Sequence, residues 1–436
     1  MVRRRRPLEI GADRADRYLP CATGRDARCP DGAVPGHGLV DPSIWRLLRL
    51  GQAPDVVRYD GDARGRRGTT GRVRPRHGVL SRWARRGSDA ARLLLSDRGP
   101  DPRGSRAARH APRGRRAPLP EPPRIMRIAI VAGGRTPERD VSLRSGRRMT
   151  LSLTELNHEA WLVDPAEVPL VETLAERRPD LCWLALHGKE GEDGTVQRLL
   201  DLLQIPYTGT AAFDCEVAFD KVLAKDALQR AGVPTPPWVV IEGWALRDLG
   251  GGAALGKAVE RIGLPCVVKP SRSGSALGVS FVEREGDLPQ AVMAALSFSG
   301  AALIEAKVEG REVAAALAGT ALEPLMIVEI VPKEGVYDYA ARYTAGATEY
   351  FCPARLSERA SAAVAAFAAA AAEALHLRDL TRVDLIVDAN ERPWVLEVNV
   401  SPGMTETSLV PMAAHAQGLS LGELCDAVLR SALARI

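Results

Sequence analysis

The sequence predicts an α/β fold followed by an α+β fold, and three observations lead to this expectation. Short apolar runs alternate with helical patterns over residues 126–232, as in parallel sheets whose strands are joined by helices. Further short strand-like runs follow at residues 266–269, 277–282 and 303–305. The composition changes abruptly at Met126, where the first of these strands begins.

The two parts of the chain differ in charge. The sequence has 436 residues, enough for two or three domains, and a net charge of +5. Residues 1–125 contain 29 Arg, no Lys and 13 Asp or Glu, which gives +16. The remaining residues carry 30 basic and 41 acidic side chains, which gives −11. The net charge of the whole chain therefore describes neither part.

The Arg-rich segment at residues 1–125 lacks Phe, Lys and Asn and has no sustained helical or strand period. Such a segment buries too little apolar surface to offset its ordering entropy. We predict that it is disordered, or that it is a mis-assigned start translated from non-coding sequence of a GC-rich genome. A basic arm for nucleic acid or lipid and a transit peptide are the alternatives. The basic-arm interpretation rests on charge alone. The transit-peptide interpretation conflicts with the length of the segment and with its Asp content.

Cysteine usage and hydropathy predict a cytoplasmic protein. The seven cysteines are scattered, and none forms a CxxC pair or shows zinc spacing. This pattern suits free thiols in a reducing compartment. No apolar run approaches the roughly 20 residues that a membrane helix needs. We expect neither a membrane nor a nucleic-acid partner.

Periodicity and breaker residues predict the further elements of the globular part. Helices are expected at residues 141–155, 194–203, 220–231, 288–296, 358–375 and 421–434. Strands are expected at residues 126–132, 181–186, 314–318, 326–330, 381–388 and 394–399.

The last two strands predict a β-hairpin. They flank a polar turn at residues 389–392. If the turn has four residues, Asp388 pairs with Pro393, and the antiparallel register follows from that pair.

This register would bring four polar side chains together. It places Asp384 opposite Glu397, and Arg382 opposite Asn399. Side chains two residues apart share one face of a strand, so all four crowd onto one face. Two carboxylates and an amide oxygen suit Mg²⁺. A solvated, charged strand face is the alternative, and the glycine-containing turn at residues 401–405 favours the functional interpretation.

Lys269 ends an apolar strand and leads into a Ser/Gly loop at residues 271–275. Its ammonium and the backbone N–H groups of the loop could both bind phosphate oxygens. The segment is not a Walker A motif, and an ordinary surface lysine is the alternative.

At this point the motifs resemble a known family. Residues 267–278 (VVKPSRSGSALG), 219–221 (FDK) and 382–405 are similar to the D-alanine–D-alanine ligases of the ATP-grasp superfamily. The further similar segments, in the family's order, are residues 133–142, 186–195, 206–209, 337–343, 348–354 and 401–412. The resemblance covers residues 126 to about 434 and implies a three-domain ATP-grasp architecture. The implied domains are an N-terminal α/β substrate domain at 126–214, a central ATP-grasp subdomain at 215–306 and a C-terminal catalytic domain at 307–436.

The resemblance implies an ATP site between the second and third domains. Lys221, Lys269 and Arg342 would contact the phosphates. Glu305 would bind the adenine amino group, and Glu312 the ribose.

The resemblance also implies the metal and substrate sites. Asp384, Glu397 and Asn399 would hold two Mg²⁺ or Mn²⁺ ions, in agreement with the hairpin argument. The residues for the first D-alanine and its hydrogen-bonded link would be Glu138, His187, Ser275 and Tyr343. The oxyanion site would comprise Arg382 and the N–H of Gly403, and Ser408 and Leu409 would receive the carboxylate of the second D-alanine.

Five positions depart from the family's usual residues. Arg342 replaces Lys, Ser273 replaces Glu, Ala276 replaces Ser, Asp140 replaces Glu, and Lys307 stands at a usually apolar position. We expect these departures to change nucleotide affinity and rate more than the reaction.

The implied reaction is ATP-dependent ligation of two D-alanines through an acyl phosphate, for a peptidoglycan precursor. A homodimer is also expected. Another ATP-grasp ligase, such as one joining D-alanine to D-lactate, is the nearest alternative; the tyrosines of residues 337–343 favour the dipeptide. A nicotinamide-dependent oxidoreductase is disfavoured because no GxGxxG follows the first strand. An inactive nucleotide-binding module is disfavoured by the retained Arg382, Asp384, Glu397 and Asn399.

Overall fold

The computed structural model describes residues 57–58, 125–333, 337, 341–342, 344 and 346–436. The predictions for nearly all of residues 1–125, for Tyr343 and for most of the tyrosine-containing loop lie outside the described residues.

The first sheet is parallel, with the order β3-β2-β4. Its strands are β2 (Arg127–Val131), β3 (Glu159–Val163) and β4 (Leu181–Leu184). They are joined by the helices α1 (Arg139–Glu155) and α2 (Leu170–Arg177). The strand–helix alternation predicted here is confirmed, although α1 starts two residues earlier than expected, and β3 and α2 were not predicted.

Three helices lead out of this sheet: α3 (Thr195–Leu203), α4 (Ala212–Phe219) and α5 (Lys221–Arg230). The Asp220 carboxylate caps α5 by accepting a hydrogen bond from the N–H of Val222 at 3.0 Å. The cap fixes where α5 begins, and therefore where the following Lys221 lies.

The second sheet is antiparallel, with the order β5-β8-β6-β7. Its strands are β5 (Trp238–Glu242), β6 (Cys266–Pro270), β7 (Ser280–Val282) and β8 (Ala301–Ala306). Its helices are α6 (Gly243–Asp248), α7 (Leu255–Ile262) and α8 (Leu288–Leu296). Two 3₁₀ turns, Gly251–Ala254 and Glu285–Asp287, precede α7 and α8.

The third sheet has seven antiparallel strands, in the order β1-β12-β11-β9-β13-β14 with β10 beside β9. The strands are β1 (Val57–Arg58), β9 (Arg311–Ala318), β10 (Glu323–Pro324), β11 (Val328–Pro332), β12 (Thr348–Cys352), β13 (Leu380–Val387) and β14 (Pro393–Asn399). The helices that accompany it are α9 (Glu358–Ala374), α10 (Leu409–Ala416) and α11 (Leu421–Leu433).

Two hydrophobic cores lie on the two faces of this third sheet. Val313, Ala315 and Leu317 of β9 pack in the core that contains α9, whereas Ala314 and Ala316 pack in the core shared with α1, α10, α11 and the first sheet. This alternation is the period-2 pattern of a strand buried on both faces. The face shared with the first sheet continues into the functional cluster described next.

Within the described residues, no helix is both long enough and apolar enough to cross a membrane. The α/β and α+β prediction is confirmed.

Candidate active site

The hairpin β13–β14 places the four predicted polar residues as expected. Arg382 lies opposite Asn399, and Asp384 lies opposite Glu397. The turn itself was predicted wrongly, because Val387 and not Asp388 pairs with Pro393.

The longer turn shifts the pairing of the two strands by one residue, and a β-bulge shifts it back. Leu385 pairs with Val395, so Leu396 is the extra residue on β14. Val395 and Val398 can then both pack in the α9 core, while Glu397 and Asn399 take the opposite face with Asp384. Without the extra residue, Val395 and Glu397 would share a face.

The Arg382 guanidinium and the Asp384 carboxylate form a bidentate pair on that face. Arg382 Nε donates to Asp384 Oδ1 at 2.7 Å, and Nη2 donates to Oδ2 at 2.8 Å. Both side chains are buried. The fork geometry fixes the guanidinium plane, and the remaining N–H donors are oriented with it.

Glu397 lies between two basic side chains. Lys221 Nζ lies 3.3 Å from Glu397 Oε2, and Arg342 Nη2 lies 3.9 Å from Oε1. Burial opposes ionisation, yet Lys221 and then Arg342 lower the pKa of Glu397 to about 2. The carboxylate is therefore an anion at any physiological pH.

Asn399 and Glu312 complete this oxygen-rich face. Asn399 Oδ1 accepts a hydrogen bond from the Ser401 N–H at 3.0 Å, which orients the amide. Glu312 lies on the adjacent strand β9, opposite Ile386. Burial, against the opposing charge of Arg342, raises the pKa of Glu312 to about 7.

These oxygens fit a divalent cation. Two carboxylates and an amide are hard ligands, and Mg²⁺ usually combines one or two protein carboxylates with water and substrate phosphates. Within the described ranges, no three or more His, Cys, Asp or Glu side chains form a metal-binding group. The Asn399 amide and ligand oxygens would therefore have to complete the coordination sphere.

A buried charge cluster lies beside the hairpin. Glu305 of β8 forms ion pairs with Lys269 of β6 and with Lys225 of α5, the latter at 2.8 Å. Lys225 also donates to the Thr235 hydroxyl. Burial lowers the pKa of Lys225, against the attraction of Glu305. In this structure the Glu305 carboxylate holds two ammonium groups.

The Ser/Gly loop after β6 is tied to its surroundings at two points. Lys221 Nζ donates to the Ser273 carbonyl at 2.6 Å, and the Ser275 hydroxyl donates to Glu138. Ser275 and Ala276 both have positive φ, 50° and 58°. Non-glycine residues in this region cost about 1–3 kcal/mol each and persist where their surroundings hold them.

Glu138 directly precedes α1, and its side chain lines the cavity of this site. Gly188 has φ +68°, and a Cβ there would lie 2.6 Å from Glu138 Oε2. A side chain at position 188 would therefore displace the carboxylate that bonds to Ser275. The link from Glu138 to Ser275 is present, whereas Tyr343, its predicted third member, lies outside the described residues.

His187 is buried and bonded to the turn after β14. Its Nδ1 donates to the Ser401 carbonyl at 2.9 Å, which leaves the Nε2 atom without a hydrogen-bond partner among the described atoms. Burial lowers the pKa of His187, against the attraction of Glu138. The neutral imidazole can therefore accept a hydrogen bond at Nε2 from a substrate.

This lowered pKa predicts an acid-dependent loss of stability. Below pH 6.5 the unfolded state takes up a proton at His187 that the folded state does not, so the free energy of unfolding falls as pH falls. A His187→Gln variant lacks this contribution. We expect the stability difference between the two proteins, measured by urea unfolding, to shift against the wild type from pH 7 to pH 5. An unchanged difference would contradict the neutral imidazole.

The turn at residues 401–408 carries the predicted acceptor site. The Ser408 hydroxyl accepts a hydrogen bond from the Thr405 N–H at 3.0 Å and lies 2.8 Å from Thr405 Oγ1. A Cβ at Gly403 would lie 2.9 Å from Ser408 Oγ. The absence of a side chain thus lets the turn close. Leu409 begins α10 directly after it.

A cavity of about 650 Å³ connects these groups. The predicted site residues that line it are Glu138, His187, Lys221, Ser275, Arg342, Arg382, Glu397, Asn399, Gly403, Ser408 and Leu409. The predicted residues that do not line it are Lys269, Glu305, Glu312 and Asp384. Asp384 is paired with Arg382, which lines the cavity. Glu305, which also pairs with Lys269, contacts the lining residue Lys225.

Lys225 and Glu192 also line this cavity, and neither had a role assigned from the sequence. Lys225 follows Lys221 by one helical turn, and this spacing was the available signal. Glu192 lines the wall near His187. Burial, together with the charge of Glu138, raises the pKa of Glu192 well above its usual value. Nothing in its sequence surroundings distinguishes it from a solvated loop carboxylate.

Comparison with known proteins identifies the family. Residues 167–210 match the model described as D-ala D-ala ligase N-terminus, and residues 227–430 match the one described as D-ala D-ala ligase C-terminus. The D-alanine–D-alanine ligase of Pelotomaculum thermopropionicum is 39% identical over 310 residues, which are 71% of this chain and 97% of that relative. The one from Synechococcus sp. is 41% identical over 313 residues, 71% of this chain and 94% of the relative.

Solved structures agree. The D-alanine–D-alanine ligase from Bacillus anthracis complexed with ATP matches with a TM-score of 0.59 and 29% identity, over 71% of this chain and 98% of that one. Because the match spans nearly the full length of relatives about 40% identical, the chain belongs to the D-alanine–D-alanine ligase family.

Proposed function

We propose that the residues around this cavity catalyse the ATP-dependent joining of two D-alanine molecules through an acyl phosphate. The observation that supports this most directly is the single face on which Arg382, Asp384, Glu397 and Asn399 lie, beside Lys221 and Arg342. In this arrangement Lys221 and Arg342 would neutralise the charge of the transferred phosphoryl group, and the carboxylates would bind a divalent cation.

The first step transfers the γ-phosphoryl group of ATP to a carboxylate oxygen of the first D-alanine, with release of ADP. Phosphoryl transfer needs mainly positioning and charge neutralisation. Lys221, Lys269 and Arg342 bind the phosphate oxygens. Glu138 and neutral His187 bind and orient the first D-alanine.

Asp384, Glu397 and Asn399 would hold Mg²⁺ or Mn²⁺, as two ions. When bound, such ions would supply positive charge that neutralises the phosphates of ATP. Lys221 and Arg342, which contact Glu397 in this structure, would bind phosphate oxygens. Glu305 would bind the adenine amino group and Glu312 the ribose, although neither side chain lines the cavity in this structure.

The second step forms the peptide bond. The second D-alanine, bound by Ser408 and Leu409, attacks the carbonyl carbon of the acyl phosphate through its neutral amine. The bond between the carbonyl carbon and the phosphate oxygen breaks, and the departing phosphate takes up the proton that the amine loses. Arg382 and the Gly403 N–H stabilise the oxyanion of this step, a contribution of about 3–4 kcal/mol for one donor.

The product, D-alanyl-D-alanine, would serve peptidoglycan precursor synthesis. The three domain boundaries, the homodimer and the cytoplasmic location stay predictions of the same proposal.

Phosphate release from ATP tests the proposed function. We expect release to depend on D-alanine and to yield one D-alanyl-D-alanine per phosphate, identified by mass spectrometry. With D-alanine and D-lactate in competition at neutral pH, we expect the dipeptide to predominate. Folded protein that releases no phosphate on addition of D-alanine would contradict the proposal, and a predominant ester product would favour the alternative ligase.

A further inference from the structure

The turn that carries Gly403 is held on α1 by contacts that none of the assigned roles uses. The Met404 N–H donates to Ser145 Oγ at 2.9 Å, and Arg148 Nη1 donates to the Met404 carbonyl at 2.6 Å. Both polar groups of one residue are thus bound by side chains one turn apart on the same helix. We call this pair of bonds the α1 anchor.

Two arginines of α1 also contact Glu406, which lies two residues after Met404. Arg148 Nε lies 3.4 Å from Glu406 Oε1, and Arg144 Nη2 lies 3.0 Å from Glu406 Oε2. The Arg144–Glu406 pair is more than half exposed, so it contributes little by itself. The Arg148 side chain is only 26% exposed, and its bond to a buried residue is charge-assisted.

The α1 anchor lies next in sequence to residues that have assigned roles in substrate binding. Met404 directly follows Gly403, whose N–H we assign to the oxyanion, and the same turn closes through Ser408. Helix α1 begins directly after Glu138, which bonds to Ser275. One helix therefore connects the group assigned to the first D-alanine with the turn assigned to the second.

We propose that Arg148 is a positioning residue that fixes the acceptor turn at residues 401–408 relative to Glu138. This inference rests on the proposed function, since it assigns the acceptor D-alanine to that turn. Loss of the bond to the Met404 carbonyl leaves the turn free to move, and binding of the acceptor weakens. ATP binds at the hairpin and the lysines, which do not contact Arg148, so its affinity stays the same.

The test compares steady-state kinetics of Arg148→Met with the wild type. We expect the D-alanine concentration for half-maximal rate to rise about tenfold, as expected for loss of one charge-assisted hydrogen bond, with the KM for ATP unchanged. Arg148→Lys retains one donor toward the Met404 carbonyl and should recover most of the D-alanine affinity. Arg147→Met, on an exposed neighbour in the same helix, is the matched control and should behave as the wild type.

A second variant keeps the inference testable if Arg148→Met does not fold. Ser145→Ala removes the other half of the anchor without removing a charge, and the same rise without a change in ATP KM is expected. If folded Arg148→Met and Ser145→Ala both keep the wild-type D-alanine dependence, the inference is overturned. It is equally overturned if ATP and D-alanine KM values rise together. An inactive wild type would instead overturn the proposed function.

Discussion

Replacing Glu397 with glutamine is expected to lower turnover by more than about a hundredfold while the protein remains folded. Loss of an outer partner of a metal ligand already costs roughly 10–100-fold, and Glu397 would itself be a ligand. Glutamine preserves shape but removes the negative charge that lies between Lys221 and Arg342. The measurement is D-alanine-dependent phosphate release at saturating ATP.

The matched control is Glu373→Gln. Glu373 is exposed on α9, on the side of the third sheet away from the cavity, and should keep full activity. Circular dichroism and thermal unfolding establish that both variants fold. Near-normal turnover of Glu397→Gln would remove Glu397 from the metal site.

Replacing Arg382 with lysine is expected to lower kcat by roughly 10²–10³-fold, the loss measured when one oxyanion donor is removed. Lysine keeps the positive charge beside Asp384 but cannot reproduce the bidentate fork, so no donor remains aimed at the oxyanion. A neutral replacement would be less informative. It would leave the buried Asp384 carboxylate unpaired, which costs about 3–5 kcal/mol of folding stability.

The affinity of the Arg382→Lys variant for ATP serves as the control. Because Arg382 acts after phosphoryl transfer, the Kd for ATP measured by calorimetry should change by less than about threefold. Equal losses in ATP affinity and in kcat would show that Arg382 binds the nucleotide instead of the oxyanion.

Much of the site could be predicted from the sequence because alternation in a strand fixes which residues share a face. Asp384 and Glu397, and Arg382 and Asn399, are paired as the simplest hairpin register requires. The turn could not be predicted in the same way. A five-residue turn shifts the register by one, and the bulge at Leu396 shifts it back. The Asp388 carboxylate stabilises this turn locally by accepting hydrogen bonds from the N–H groups of Asn390 and Arg392. The bulge instead depends on the packing of Val395 in the α9 core.

β3 and β5 lie at sheet edges and are partly exposed. Their sequences contain the short apolar runs AWLV and WVVI, which were the available signals for these two missed strands. Other missed features are determined by tertiary contacts. Lys225 resembles any lysine of an amphipathic helix until β8 brings Glu305 next to it. The second partner of Glu305, Lys269, is brought next to it by the pairing of β6 with β8, which no short-range pattern specifies.

The central claim is that one face of the β13–β14 hairpin binds a nucleotide-bound divalent cation. Electron paramagnetic resonance of Mn²⁺, titrated into the full chain with a non-hydrolysable ATP analogue, tests it most directly. We predict two bound Mn²⁺ ions per wild-type chain, and fewer for Glu397→Gln at the same nucleotide occupancy. The same number of bound ions in both proteins would contradict the claim.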